Sequence, residues 1–118
     1  MYSSMKKNII KRVAKEELNK GKILYHSKLY SEAFHQFERS HIIGQRFPIE
    51  HTISHYWMLK IALKKRNVKD ALGQIFRMLS GFIGSVLNIY PVGNTGGSDV
   101  SPFKEMDIPQ DLIELLND

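Results

Sequence analysis

Four side chains with the types and spacing of metal ligands lie close together in this sequence. Glu38 and His41 are three residues apart, and His51 and His55 are four apart. On an α-helix these spacings place both members of a pair on one face. Phe47-Pro48 predicts a short turn between two antiparallel helices, across which the pairs face each other. Imidazole and carboxylate are zinc and iron ligands. The predicted site therefore holds one divalent transition metal, zinc or iron, between helices two and three, with the ligands Glu38, His41, His51 and His55.

A structural interpretation of the same side chains stays open. Glu38 can pair with Arg39 or Arg77, and inward-facing histidines can form hydrogen bonds with backbone carbonyls. Glu38 and His41 form one E-x-x-H motif, whereas a ferritin-like di-iron site uses two such motifs. No serine-histidine-acid arrangement suggests a hydrolase either. We therefore predict no catalytic residues, and we expect a binding protein more than an enzyme.

The composition indicates one small globular domain. A chain of 118 residues can bury one core but not two. The absence of cysteine excludes disulfides and thiolate metal sites, so a metal must be held by imidazole and carboxylate. The start of the sequence does not contain the long apolar segment that is typical of a secretory signal. No apolar run reaches the ~20 residues that a membrane-spanning helix needs. We expect a cytoplasmic protein that does not enter membranes.

The charge is unevenly distributed along the chain. Residues 1–30 contain eight lysines and arginines against two acids, whereas the last twenty residues are acidic. Basic helices can bind phosphate groups, but no DNA- or RNA-binding motif accompanies this one. We therefore do not expect a nucleic-acid partner.

Apolar residues at helical spacing predict a four-helix bundle over residues 6–90. Helix two should bury Ala33, Phe37 and Ser40, and both histidines of helix three fall on its apolar face. Asn67 is suited to cap helix four, with Asp70 three residues later. The predicted core stripe of helix four consists of Val68, Leu72, Ile75, Leu79, Phe82 and Val86.

Residues 91–118 are predicted to form a tail that docks on the bundle. A glycine-rich loop at 93–99 is followed by an extended stretch and by a short helix that starts at Pro109. The tail carries nine large apolar side chains, too many for a disordered segment.

A weak internal repeat suggests how the helices are arranged. Tyr30-x2-Ala33-x3-Phe37 aligns with Val68-x2-Ala71-x3-Ile75 at an offset of 38 residues, and the spacing resembles half of a tetratricopeptide repeat. We predict an all-α fold of two packed antiparallel helical hairpins, tetratricopeptide-like, with an extended C-terminal tail that ends in a short helix. The alternative function is therefore a tetratricopeptide-like interaction module that binds a protein partner or a second copy, with a structural His/Glu cluster.

Several segments together resemble a family of small bacterial proteins catalogued as domain of unknown function 3703. They are ERSHIIGQ (38–45), the His51/His55-x-x-Met58 spacing, Gly73-Gln74-x-x-Arg77 and PVGNTGGSDVSPF (91–103). The resemblance covers nearly the whole chain after residue 25. It implies that these segments belong to one architecture, and it implies no activity.

Overall fold

The computed structural model describes residues 2–117, in which all regular secondary structure is helical. Four long helices are followed by an irregular segment, a short 3-10 turn over Gln110–Leu112 and a final short helix. The α-helices are α1 (Ser4–His26), α2 (Tyr30–Gly44), α3 (Pro48–Lys64), α4 (Val68–Val86) and α5 (Ile113–Leu116).

The long helices pack as two hairpins. The strongest contacts are between α1 and α2 and between α3 and α4, and α2 packs on α3 to join the hairpins. This confirms the predicted fold class. The α2–α3 connection is tight because Pro48 occupies the first turn of α3, where its missing N–H is not needed. The cap of α4 is also as predicted, because the Asn67 side chain accepts from the Asp70 N–H at 3.0 Å.

Two apolar clusters form the core. One lies where α1 meets α2 and the tail, and it includes Ile10, Ile43 and Phe47. The other joins α1, α2 and α3 through residues that include Phe37 and Met58. Ala33, Phe37 and Ser40 are buried, as the spacing on α2 predicts. The α2–α3 contact is thus held on one side by packed apolar residues, which sets the position of the histidines beside it.

The predicted core stripe of α4 is wrong. All six of its residues are exposed, with between 44% and 70% of their surface accessible. The face that α4 turns inward is the small and polar one, whose buried residues are Ala71, Gln74 and Ser85. Helical period shows which residues share a face, but not which face a neighbour covers. Here α3 and the glycine-rich loop pack on the small face.

The tail packs on the bundle through its glycine-rich loop, in which Asn94 and Gly96 are buried, and through its final residues. Leu112 is buried in the first core cluster, with Ile108, Leu115 and Leu116 packed against it. Asp111 pairs with Arg39 of α2 at 2.6 Å, so this ion pair reaches α2 and not the basic α1. Phe103, by contrast, is exposed. No helix within residues 2–117 has both the length and the apolar character to cross a membrane.

Candidate metal centre

Three of the four predicted ligands meet at the junction of α2 and α3. His41 lies near the end of α2, and His51 and His55 lie one turn apart on the facing side of α3. All three side chains are buried. Nε2 of His55 is 3.1 Å from Nε2 of His41 and 3.2 Å from Nε2 of His51. The structure therefore turns the same ring nitrogen of each histidine toward one point.

The other ring nitrogen of each histidine has its own hydrogen-bond partner. Nδ1 of His41 lies 2.7 Å from the carbonyl oxygen of Asn94 in the glycine-rich loop. Nδ1 of His55 lies 2.8 Å from Oε1 of Gln74 on α4. Nδ1 of His51 lies 2.6 Å from Oγ of Ser85, also on α4. The three rings are thus oriented by groups that come from outside α2 and α3.

These partners assign the tautomer of every ring. A carbonyl oxygen only accepts, so Nδ1 of His41 carries the proton. Gln74 donates its amide N–H to the Gly96 carbonyl, which leaves Oε1 to accept from His55.

Ser85 assigns the third ring in the same way. Ser85 donates its only hydroxyl proton to the Gln45 carbonyl, so its oxygen accepts from Nδ1 of His51. In the neutral cluster all three Nε2 atoms therefore carry lone pairs and no proton. The lone pair of His55 therefore faces those of His41 and His51 at 3.1 and 3.2 Å, a repulsive arrangement that a cation between the rings would relieve.

The surroundings oppose protonation of these rings. Burial is the largest cause, and it lowers the pKa of His51 to about 3 and that of His55 to about 4. Burial, with the two neighbouring imidazoles, also lowers the pKa of His41 well below its usual value. At neutral pH the histidines are therefore in the neutral form that binds metals.

Two glycines make room for the imidazoles. A Cβ atom on Gly81 of α4 would lie 2.8 Å from Cε1 of His51, and one on Gly96 would lie 2.7 Å from Cδ2 of His41. Both separations are far shorter than van der Waals contact. A side chain at either position would push an imidazole out of the cluster, which explains why glycine interrupts α4 at residue 81.

A cavity of about 600 Å³ opens beside the cluster, and all three histidines line it. Its other walls are mostly apolar residues of α4 and of the following segment, and Phe103 lies among them. Arg77 is the cationic residue on this wall, and its guanidinium donates to the carbonyls of Gly73 and Val100. The cluster is therefore accessible to a small ligand from one side.

Glu38, the fourth predicted ligand, is not part of this cluster. Within residues 2–117, the group of candidate ligand atoms that lie within 4.8 Å of one another comprises only the three histidines. The Glu38 carboxylate faces the glycine-rich loop, where it interacts with the Thr95 side chain and lies near Asp99. Partial burial and the Asp99 charge raise the pKa of Glu38 to about 7. His35 is exposed, and its Nδ1 lies 3.8 Å from Oε1 of Glu38.

Sequence reasoning missed the three groups that orient the imidazoles. The Asn94 contact uses a backbone carbonyl, which no residue type reveals. Gln74 and Ser85 are eleven residues apart, which is three helical turns, so both lie on the small face of α4. Uncharged polar residues at this spacing on an otherwise small face were the signal that could have found them.

The depressed pKa values of the histidines predict that the stability of the metal-free protein depends on pH. Their pKa values are depressed on folding, so between about pH 4 and pH 6.5 the unfolded chain binds protons that the folded chain does not. The free energy of unfolding should be largest near pH 7 and fall as the pH is lowered. The limiting slope is about 1.4 kcal/mol per pH unit for each histidine. Urea unfolding of chelator-treated protein at pH 7, 6 and 5 measures this loss.

Glu38 has the opposite effect on the free energy of unfolding in the same pH range. Its pKa is raised on folding, so it contributes stability at low pH that is lost as the pH rises toward 7. A Glu38→Gln variant should therefore lose stability more steeply than the wild type on acidification. A free energy of unfolding that stays constant from pH 7 to pH 5 would contradict the neutral, buried cluster.

Comparison with known proteins places the chain in one family. The model of the family described as "Protein of unknown function (DUF3703)" matches residues 8–116, so the chain belongs to that family. No curated protein and no solved structure matches the chain significantly.

Proposed function

We propose that this member of the DUF3703 family binds one divalent transition metal ion through the Nε2 atoms of His41, His51 and His55. The observation that supports the proposal is the convergence of three unprotonated nitrogens, each held in that tautomer by a separate hydrogen bond. A purely structural cluster would be expected to pair donors with acceptors. Here no proton lies on the inward-facing nitrogens.

The distances also suit a metal of the zinc type. Zinc binds histidine nitrogen at about 2.0–2.1 Å, and tetrahedral geometry then separates two ligand atoms by about 3.3 Å. The two separations here, 3.1 and 3.2 Å, lie close to that value. Little movement of the rings would be needed to admit the ion. The hydrogen bonds to Nδ1 are the kind that fix metal-binding histidines in other proteins.

The ligand set favours zinc over iron. Non-haem iron sites of the facial type combine two histidines with a carboxylate, and Glu38 lies outside the cluster. Three histidines with an open fourth position are an arrangement of zinc sites that keep a water or a substrate. The fourth position would face the cavity, which is lined by one cationic and one anionic side chain, Arg77 and Glu105. We assign the protein to metal handling and propose no catalytic residue.

The proposal predicts one metal ion per chain. Protein purified without an affinity tag and stripped with a chelator should take up one equivalent of zinc, measured by elemental analysis after dialysis. Metal at 100 times its Kd should stabilise the fold by about 2.7 kcal/mol, a rise in melting temperature on the order of 10 °C. Parallel measurements with cobalt, nickel and copper would rank these metals by their affinity for the site. No uptake and no thermal shift with any of them would refute the proposal.

The interaction-module hypothesis treats the His/Glu cluster as structural and competes with metal binding on that point, but an interaction surface can exist beside a metal site. It is supported by a different part of the molecule, the exposed apolar face of α4.

A further inference from the structure

The outer face of α4 carries a continuous row of exposed apolar side chains. We call this row the α4 seam, and it consists of Val68, Leu72, Ile75, Leu79, Phe82 and Val86. The least exposed members are 44% accessible and the most exposed is 70% accessible. These are the residues whose spacing predicts a buried face. No other part of residues 2–117 packs over them.

The spacing of the seam is that of a coiled coil. Its steps alternate between four and three residues without a break, so each pair of steps covers seven residues, as in a heptad repeat. The row spans α4 from its first residue to its last. In coiled coils such a row packs against a similar row on a second helix. The pattern therefore indicates a helical occupant of matching length.

The apolar area is large enough for a stable interface. A second row of exposed apolar residues, which includes Phe76, Ile83 and Leu87, flanks the seam, and Ile89 follows it. Together these ten side chains expose on the order of 1,000 Å², against the ~800 Å² that each partner buries in a standard interface. The largest apolar patch on a typical monomer is only about 300–600 Å².

The charge distribution permits two copies to meet on this surface. The chain carries a formal net charge of +5, but residues 78–98 contain no charged side chain. The charged residues of α4 are Lys69 and Asp70 at its start, which have opposite signs, and Arg77, whose guanidinium donates to two backbone carbonyls. In an antiparallel pairing, the uncharged second half of each α4 would meet the charged start of the other, so two positively charged chains can associate here without placing like charges in contact.

We propose that the α4 seam binds the same seam of a second copy, so that the protein is a homodimer. The occupant must present an exposed apolar helical row of matching length, and this chain itself displays one. A two-fold arrangement lets the same residues serve both partners. The interface does not depend on a bound metal ion, because no seam residue belongs to the histidine cluster.

Dimerisation on this face would also narrow the entrance to the histidine cavity. Ile83, Leu87 and Ile89 both flank the seam and line the cavity. A helix packed against them would cover part of the cavity entrance.

The test is the oligomeric state of the full chain, measured by sedimentation equilibrium with and without a chelator. We expect twice the 13.7 kDa mass of one chain in both conditions. Leu79→Glu should weaken the dimer by more than about 100-fold, because it places carboxylates in an apolar interface near each other. Ile23→Glu on α1 is the matched control, since Ile23 is 68% exposed and Leu79 is 66% exposed. The control should remain dimeric.

A second measurement does not depend on how the glutamate variant folds. The chain has no cysteine, so Leu79→Cys introduces a single reactive thiol. A bismaleimide crosslinker should join two Leu79→Cys chains, and it should not join two Ile23→Cys chains. A monomeric wild type up to 100 µM, or equal crosslinking of both variants, would overturn the proposal. In that case the seam would serve a different protein.

Discussion

Replacing His55 by alanine is expected to reduce metal affinity more than any other single change. Its Nε2 atom is the one that lies within 3.2 Å of both other Nε2 atoms, so it completes the cluster. Loss of an orienting partner alone typically costs 10- to 100-fold in affinity, and loss of a ligand should cost more than about 100-fold. Competition with a chromogenic zinc indicator measures the change.

Two further variants show whether the effect is specific. His35→Ala removes an exposed imidazole outside the cluster and should bind zinc as the wild type does. Ser85→Ala keeps all three ligands but removes the acceptor for Nδ1 of His51, so it should lose about 10- to 100-fold. Circular dichroism of each metal-free variant checks that the helices form. Full zinc binding by a folded His55→Ala variant would place the metal elsewhere.

Deleting residues 91–118 is expected to destabilise the whole domain. The deletion uncovers the core cluster that Leu112 fills between α1 and α2. Truncating one buried leucine to alanine costs about 2–5 kcal/mol, and the deletion removes its packed neighbours as well. We therefore expect the melting temperature to fall by more than about 10 °C. Removal of the Asn94 carbonyl should also weaken zinc binding, because His41 loses the group that orients it.

The salt dependence separates apolar docking from charge. The Arg39–Asp111 pair is largely exposed on the Asp111 side, and exposed pairs contribute little to stability. High salt should therefore change only slightly the fall in melting temperature that the truncation causes. Phe103→Ala, at an exposed position of the same tail, should leave the melting temperature unchanged. An unchanged melting temperature in the truncated protein would mean that the tail does not support the bundle.

Local spacing was enough to predict the helices and the inward direction of the histidines. Each of these features depends on residues within a few turns, such as the four-residue step from His51 to His55 and the cap at Asn67. The turn at Pro48 then brings α2 and α3 together. Three of the four predicted ligands meet for this reason.

Tertiary contacts alone decided the remaining features. Glu38 lies three residues before His41 on α2, but its carboxylate faces Thr95 and Asp99 in the glycine-rich loop. The groups that orient the three imidazoles come from α4 and from that loop, at least 19 residues away in sequence.

Helix α4 shows the physical reason most clearly. Its apolar period is the same whether the covering surface belongs to this chain or to another one. The sequence therefore predicts correctly that Val68, Leu72, Ile75, Leu79, Phe82 and Val86 share a face. In the folded protein α3 and the glycine-rich loop pack on the opposite face of α4, which carries Gln74 and Ser85. The apolar row is exposed for this reason.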